Sequence, residues 1–223
     1  PDALVRRSSI ATLAALPPSP RLQLIAPLLE DPVRSVRIEA AATLADAMAN
    51  ASPAQQSAFP RAAAENEAAQ LFNADRPEAR VALGSFAARQ GQLDVARARL
   101  QSALELNPAY VPAYVNLADL LRVQGRDDEA EKLLREGLRI APRAAVLHHT
   151  LGLALVRLKR NGEALAELRE AAKLAPDDPR FAYVYAVGLN SAGQTKAAQA
   201  EIARALKHHP HDPDLRMAEA TLG

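Results

Sequence analysis

Residues 111–144 have the sequence VPAYVNLADLLRVQGRDDEAEKLLREGLRIAPRA, and residues 145–178 have the sequence AVLHHTLGLALVRLKRNGEALAELREAAKLAPDD. Aligned without gaps, these two adjoining segments share leucine, alanine and proline at equivalent positions. The same step spaces a column of prolines, which are Pro108, Pro142, Pro176 and Pro210. A period of about 34 residues predicts a solenoid of stacked helix pairs.

Small and apolar residues recur at the same step. The columns are Ala96, Ala130, Ala164 and Ala198; Ala103, Gly137, Ala171 and Ala205; Leu83, Leu117, Leu151 and Tyr185; and Leu100, Leu134, Leu168 and Ile202. Glycine or alanine at such positions lets two helix backbones approach closely, while the leucines fill the space beside them. One unit cannot bury its apolar face alone, so we expect neighbouring units to bury it together.

Each unit is predicted to contain two helices joined by a turn. In the second unit the helices are expected at 112–124 and 127–140. The turn is marked by a glycine in three units: Gly91, Gly125 and Gly193. Glycine adopts a positive φ there without steric cost, whereas the third unit has Lys159 at this place. The column prolines are expected to stop the second helix of each unit.

These residues resemble the tetratricopeptide repeat. The Leu-Gly pair of that family is matched by Leu83-Gly84 and Leu151-Gly152. Tyr114 stands at position 4 of its repeat, where the family has a large residue. At position 24 of each repeat, leucine or isoleucine replaces the aromatic residue of the family. The resemblance covers four units, which are 77–110, 111–144, 145–178 and 179–212. Residues 213–223 are predicted to form a capping helix or the first half of a truncated fifth unit. The resemblance implies an all-α fold, a right-handed α-solenoid of helix hairpins, with a concave groove lined by the first helix of each unit.

Residues 1–51 contain a second, shorter sequence repeat. Val5-Arg6 reappears later in the segment as Val36-Arg37. The segment from Asp31 to Arg37, followed by alanines and Leu44, resembles a HEAT-type repeat, in which the aspartate caps a helix and the arginine contacts a neighbouring turn. Helices are expected at 2–16, 21–29 and 33–50, interrupted by prolines.

Residues 52–76 are predicted to be capping and connecting helices. Ser52-Pro53 is a good helix start, because serine caps and proline is tolerated at the first helical position. We expect a short turn as far as Phe59 and a new helix from Pro60 to about Asn73 that covers the first full unit. The two repeat types are expected to form one continuous solenoid.

The composition excludes several classes of site. The chain has 223 residues, a formal net charge of +1 and no cysteine. A charge this small does not draw a protein to nucleic acid, and no apolar run reaches the 18 or more residues of a membrane-spanning helix. The absence of cysteine excludes disulfides, thiolate metal sites and covalent haem attachment in this chain. Because the sequence begins at Pro1 without a methionine or signal peptide, we interpret it as a fragment or a mature form.

The sequence lacks a catalytic motif, and we predict that it is not an enzyme. It has no phosphate-binding glycine loop, HExxH pair or nucleophile elbow. His208, His209 and His211 are weak metal candidates, with a solvated loop as the alternative. His148 occupies a packing column, and His149 is expected to point into the groove, where a partner contact or pH sensitivity is the functional interpretation. No cofactor is expected within this chain.

The family resemblance also assigns groove residues. They are Val115, Asn116, Asp119, Arg122, Val146, His149, Leu153, Val156, Tyr183, Val187 and Asn190. The apolar members suit a helix or an extended apolar peptide, although burial between adjacent units is the alternative interpretation. Binding of a chaperone C-terminal carboxylate is disfavoured, because Val81 and Ser85 replace the lysine and asparagine expected in that clamp.

Two functions follow as hypotheses. The first is a non-catalytic scaffold that binds a protein or peptide, with self-association left open. The second rests on a resemblance of residues 73–79 and 114–120, and of the order of the repeats, to the C-terminal part of bacterial multihaem cytochrome c proteins. This resemblance implies that the chain docks partners or assembles subunits, while an upstream domain outside this chain holds the haem. It also implies a periplasmic or extracellular location. If the cytochrome resemblance does not hold, a cytoplasmic location is expected. A metal-dependent hydrolase built on the histidine loop is disfavoured.

Overall fold

The computed structural model describes residues 2–222, and over this range the regular structure is entirely helical. The α-helices are α1 (Ala3–Leu13), α2 (Pro18–Ile25), α3 (Arg34–Leu44), α4 (Pro53–Leu71), α5 (Pro77–Arg89), α6 (Leu93–Leu106), α7 (Val111–Val123), α8 (Asp127–Ile140), α9 (Ala145–Arg157), α10 (Asn161–Leu174), α11 (Pro179–Ser191), α12 (Thr195–His208) and α13 (Pro213–Leu222). The segments Ala26–Glu30 and Met48–Asn50 are short 3₁₀ helices. The predicted all-α fold of repeated helix hairpins is confirmed.

The chain divides into two compact units, Pro1–Asn107 and Pro108–Gly223. Helices α1 to α6 belong to the first unit, and α7 to α13 belong to the second. Each pair of helices predicted for a repeat packs as a hairpin, namely α5 with α6, α7 with α8, α9 with α10 and α11 with α12. One continuous solenoid through both units stays a prediction.

The first compact unit corrects the helix boundaries predicted for residues 1–76. Helix α4 runs through Pro60 without a break. Phe59 is buried in the core while Pro60 lies on the exposed face, where solvent has access to a carbonyl that proline leaves unbonded. The third helix ends at Leu44 instead of Asn50, and Asp46 in the following turn is bound by Arg21 at 2.6 Å. The capped start at Ser52 is confirmed, since Ser52 and Gln55 form a reciprocal capping box.

Pairs of arginine and carboxylate tie the helices of the first compact unit together. Arg6 binds the carboxylate of Asp31 with Nε 2.6 Å from Oδ2, and this contact lowers the pKa of Asp31. Arg37 binds Glu65 at 2.7 Å and donates to the Asp31 carbonyl at 2.6 Å. Asp31 accepts from the Val33 amide at 2.8 Å. Arg37 thus contacts a turn, as expected of the arginine in a HEAT-type repeat, whereas the N-cap of α3 is Val33 and has no side-chain cap, so Asp31 does not cap the helix as expected. The assignment of residues 1–51 to that family stays a prediction.

The turns inside the repeat hairpins have the predicted geometry. Gly91, Gly125 and Gly193 have φ values of 75°, 70° and 75°. Lys159 has φ 61°, so the third repeat uses the same left-handed turn although it has a side chain there. A β-carbon is strained in this region, because it approaches the following carbonyl oxygen. The second helix of each hairpin ends two residues before the column proline, as predicted.

A recurring hydrogen bond joins the first helix of a repeat to the loop before it. At position 4 of the first three repeats and of α13, the side chain contacts the carbonyl six residues earlier: Arg80 to Ala74 at 2.7 Å, Tyr114 to Pro108 at 3.0 Å, His148 to Pro142 at 3.1 Å and Arg216 to Pro210 at 2.7 Å. The fourth repeat has Ala182 at this position, and there Nε2 of His209 contacts the Pro176 carbonyl at 3.0 Å instead. The column proline therefore supplies an acceptor as well as a helix stop.

Candidate functional site

The predicted groove residues all lie on α7, α9 and α11, the first helices of three hairpins in the second compact unit. None of them is fully buried. Val156 and Val187 remain 46% and 44% exposed. Burial between adjacent repeats, the alternative interpretation of these residues, therefore does not account for the exposed valines.

An apolar cavity of about 290 Å³ opens beside these valines. Its lining comes from α9, α10, α11 and the residue after α11, and consists of Leu153, Val156, Asn161, Ala164, Leu165, Leu168, Val184, Val187, Gly188, Ser191 and Ala192. Only Leu153, Val156 and Val187 belong to the predicted set. The contribution of α10 was missed because the family resemblance assigns the groove to the first helix of each hairpin.

One repeat earlier in the same compact unit, the equivalent place is closed by ion pairs. We call Asp119, Arg122, Asp127, Glu131 and Arg157 the charged junction. Nε of Arg157 lies 2.7 Å from Asp127, and Nε of Arg122 lies 3.2 Å from Asp119. Glu131 is bound by Arg160 at 2.6 Å and by Arg135 at 2.8 Å. The charges of this junction are thus satisfied internally.

One repeat later the equivalent residues carry no charge. They are Leu153, Val156, Asn161, Leu165 and Ser191, which we call the apolar junction. Two further positions also become smaller, because Ala154 is replaced by Gly188 and Leu158 by Ala192. The Arg157–Asp127 pair therefore has no counterpart at the apolar junction, where the cavity lies.

The apolar junction also contains two exposed polar side chains. Asn161 and Ser191 are exposed, and neither side chain makes a hydrogen bond within residues 2–222. Asn161 provides both a donor and an acceptor, and Ser191 provides a hydroxyl. The cavity is therefore apolar inside and has neutral hydrogen-bonding groups in its lining.

The predicted polar groove residues are mostly engaged within the chain. The side-chain amide of Asn116 donates to the Pro112 carbonyl at 2.8 Å. Asp119 forms its ion pair with Arg122, and Asn190 accepts from the Thr195 hydroxyl at 2.9 Å. Intramolecular bonds of this kind reduce the ability of a side chain to recognise a partner, so the apolar residues are the stronger candidates.

His149 lies closer to the core than predicted. Its ring packs against Phe181 with the centroids 4.9 Å apart, and its Nδ1 is enclosed without a hydrogen-bond partner. Burial lowers the pKa of His149, and the nearby positive charge of Arg180 lowers it further. His148 is half-buried in its packing column as predicted, with Nδ1 2.6 Å from Glu167.

The histidine loop does not assemble a metal site. Within the described part of the chain, no group of three His, Cys, Asp or Glu side chains is arranged to hold a metal ion. His209 contacts the Pro176 carbonyl, while His208 and His211 are exposed. Over the same residues, none of the helices has the length and apolar character needed to cross a bilayer.

Comparison with known proteins agrees with this architecture. A family model described as tetratricopeptide repeat matches residues 87–152 and 155–222. No curated protein matches the chain. A tetratricopeptide protein of Thermus thermophilus, TTC0263, is similar with 26% identity and a TM-score of 0.60, over 83% of this chain and 98% of that one.

Two further solved structures share the fold at lower identity. One is PilF of Pseudomonas aeruginosa, with 24% identity and a TM-score of 0.57 over 66% of this chain and 67% of that one. The other is YrrB, described as a tetratricopeptide protein with an unusual peptide-binding site, with 22% identity and a TM-score of 0.52 over 69% of this chain and 79% of that one. None of these matches supports the HEAT-type or multihaem-cytochrome resemblance. With more than half of its length matched by the family model, the chain belongs to the tetratricopeptide repeat family.

Proposed function

We propose that this protein is a non-catalytic scaffold that binds a peptide or helix of another protein along α7, α9 and α11. The observation that carries the proposal is the apolar junction, where Val156 and Val187 are exposed beside the cavity. Exposed apolar surface of this kind, concentrated in a concavity, marks contact sites. A peptide or amphipathic helix whose apolar side chains face the groove would cover these valines.

The chemistry of the cavity lining favours an apolar side chain over a reacting group. None of the side chains in its lining is titratable near neutral pH. The lining therefore offers shape and apolar contact rather than an acid, a base or an activated nucleophile.

The electron-transfer alternative stays a prediction without a specific observation in its favour. It requires CxxCH motifs upstream of this chain. A visible absorption spectrum of the full-length protein would separate it from the scaffold, since covalently bound haems give a Soret band.

A selection from a displayed random-peptide library tests the scaffold. Selected peptides should shift amide resonances of α7, α9 and α11, and Val156→Glu should abolish their binding, because a buried carboxylate would have no partner there. Leu153→Glu is expected to act in the same way without unfolding the chain.

Val95→Glu is the matched control, since Val95 is 48% exposed on α6, which belongs to the first compact unit. It should leave peptide binding unchanged. Peptides that shift other helices, or that bind Val156→Glu as tightly as the wild type, would contradict the proposal. Unfolding of Leu153→Glu would place that residue in the core and overturn its groove assignment.

A further inference from the structure

We propose that the apolar junction is a binding site for one bulky uncharged side chain, of leucine type, presented by a partner peptide. Asn161 and Ser191 then hydrogen-bond the peptide backbone beside that side chain. This inference rests on the proposed function and specifies the chemistry of the partner. Neither the family match nor the resemblance assigns these two polar residues.

The argument for an uncharged occupant is electrostatic. None of the residues that line the cavity is charged. A charged side chain placed there would lose its hydration without gaining an opposite charge, which is strongly unfavourable. At the equivalent place one repeat earlier, Asp127 and Arg157 form an ion pair. The chain therefore neutralises its own charges at the charged junction.

The argument for a bulky occupant is steric. Ala192, which lines the cavity, is smaller than Leu158, its equivalent one repeat earlier, whereas the space beside Gly188 is partly filled by Leu165. Leu165, which also lines the cavity, lies close to Gly188: a β-carbon added to Gly188 would be 3.0 Å from Cδ2 of Leu165. A side chain entering from the partner would therefore contact leucine on one side and the valines of α9 and α11 on the other.

The argument for backbone recognition comes from the two unbonded polar groups. An extended peptide carries an N–H and a C=O next to every side chain, and a carboxamide can bond both. Asn161 stands at the start of α10, and Ser191 stands at the end of α11. Both line the cavity, so a peptide that inserts a side chain brings its backbone within their reach.

The first experiment uses single-residue probes and nuclear magnetic resonance. The probes are N-acetyl-L-leucinamide, N-acetyl-L-alaninamide and N-acetyl-L-aspartate amide, titrated into the whole chain. We expect saturable shifts at Leu153, Val187 and Gly188 with the leucine probe, and affinity about tenfold weaker with the alanine probe, because the contact area is smaller. The aspartate probe should give no saturable shift. Equal affinities for the three probes, or no saturable shift with leucine, would overturn the inference.

The second experiment copies the charged junction into the apolar one. The double variant Asn161→Asp with Ser191→Arg reproduces the pair formed by Asp127 and Arg157 and should weaken the leucine probe about tenfold or more. The matched control, Asp127→Asn with Arg157→Ser, changes the charged junction instead and should bind the probe like the wild type. If the double variant fails to fold, Ala192→Leu reduces the cavity with one substitution, and it should weaken the probe in the same direction.

The outcomes separate this inference from the proposed function. Library peptides that contact α7, α9 and α11 but bind the double variant with wild-type affinity would overturn the inference and leave the scaffold intact. Peptides that avoid all three helices would overturn both. Loss of library peptides and of the leucine probe together in the double variant, with the control unaffected, is the result that supports the inference.

Discussion

The charged junction and the apolar junction occupy equivalent places in successive repeats of one compact unit, and they differ in nearly every exposed side chain. Their buried residues are alike: Ala130 and Ala164, and Leu134 and Leu168, are buried in both. The repeat therefore restricts only the positions where helices touch. The remaining positions are free to close a junction with an ion pair or to leave it open for another molecule.

The largest effect is expected from enlarging the small positions that both junctions share. Ala130→Leu should destabilise the protein by about 1–3 kcal/mol or more, because Ala130 is fully buried where two helices approach closely. The equivalent Ala164→Leu should cost less, since Ala164 lines the cavity and part of the new side chain has room there. Thermal unfolding of both variants checks this. A wild-type melting temperature for Ala130→Leu would contradict the assignment of the repeat frame.

Gly152 and Gly188 are helical glycines that differ in what an added β-carbon would contact. A β-carbon on Gly152 would lie 2.7 Å from Cγ of Leu168, whose side chain is buried, so Gly152→Ala should destabilise by about 1–2 kcal/mol. A β-carbon on Gly188 would meet the end of the Leu165 side chain at 3.0 Å, and the gain in helix propensity, about 1 kcal/mol, should make Gly188→Ala neutral or stabilising. Urea unfolding measures both changes. Equal losses for the two variants would show that the cavity wall is as tightly packed as the interior.

The hairpin turns provide a reciprocal pair of substitutions. Lys159 joins α9 to α10 with φ 61°, whereas Gly125 joins α7 to α8 with φ 70°. Lys159→Gly should stabilise the protein by about 1 kcal/mol, because the left-handed turn strains a residue with a β-carbon. Gly125→Lys should destabilise it by a similar amount. Urea midpoints of the two variants that move in the same direction would show that φ is not the deciding factor.

The smallest expected effect is the contribution of His149 to the loss of stability at acidic pH. Its pKa is lowered in the folded chain by burial and by Arg180, so the unfolded chain binds a proton at higher pH than the folded chain. Stability contributed by the neutral ring is therefore present above about pH 6.5 and lost as the pH falls below it. His149→Val, which copies Val115 of the preceding repeat, should reduce the loss of stability between about pH 7.5 and about pH 5.5.

Urea unfolding at the two pH values measures this difference. The carboxylates with lowered pKa values, which are Asp31, Glu65, Glu163 and Asp178, lose stability only below about pH 5, outside this window. The other four histidines are common to both proteins. A difference in stability between the two pH values that is unchanged by the substitution would exclude His149 as its source.

Local and periodic features were predictable from the amino-acid sequence. The prolines, the small columns and the turn glycines each act on the backbone nearby or repeat at a fixed spacing, so the four hairpins and their turns could be located. The boundary at Pro60 was predicted wrongly, because proline breaks a helix only where the freed carbonyl and the ring cannot be accommodated. The exposed face of α4 accommodates both.

Contacts between repeats could be identified only from the folded structure. In the fourth repeat, His209 replaces the position-4 side chain as the partner of the Pro176 carbonyl, although the two residues lie 33 positions apart in the sequence. The cavity likewise depends on side chains that three helices bring together, and Leu165 of α10 contacts the backbone of α11 at Gly188.

The repeat period was sufficient to predict the helices of the four hairpins and their pairing, because it records which residues must be small or apolar for helices to touch. Which junction would be closed and which would be open depended on packing in three dimensions. An ion pair such as Arg157–Asp127 joins side chains that lie far apart in the sequence, and an unfilled volume exists only once the surrounding side chains have taken their places.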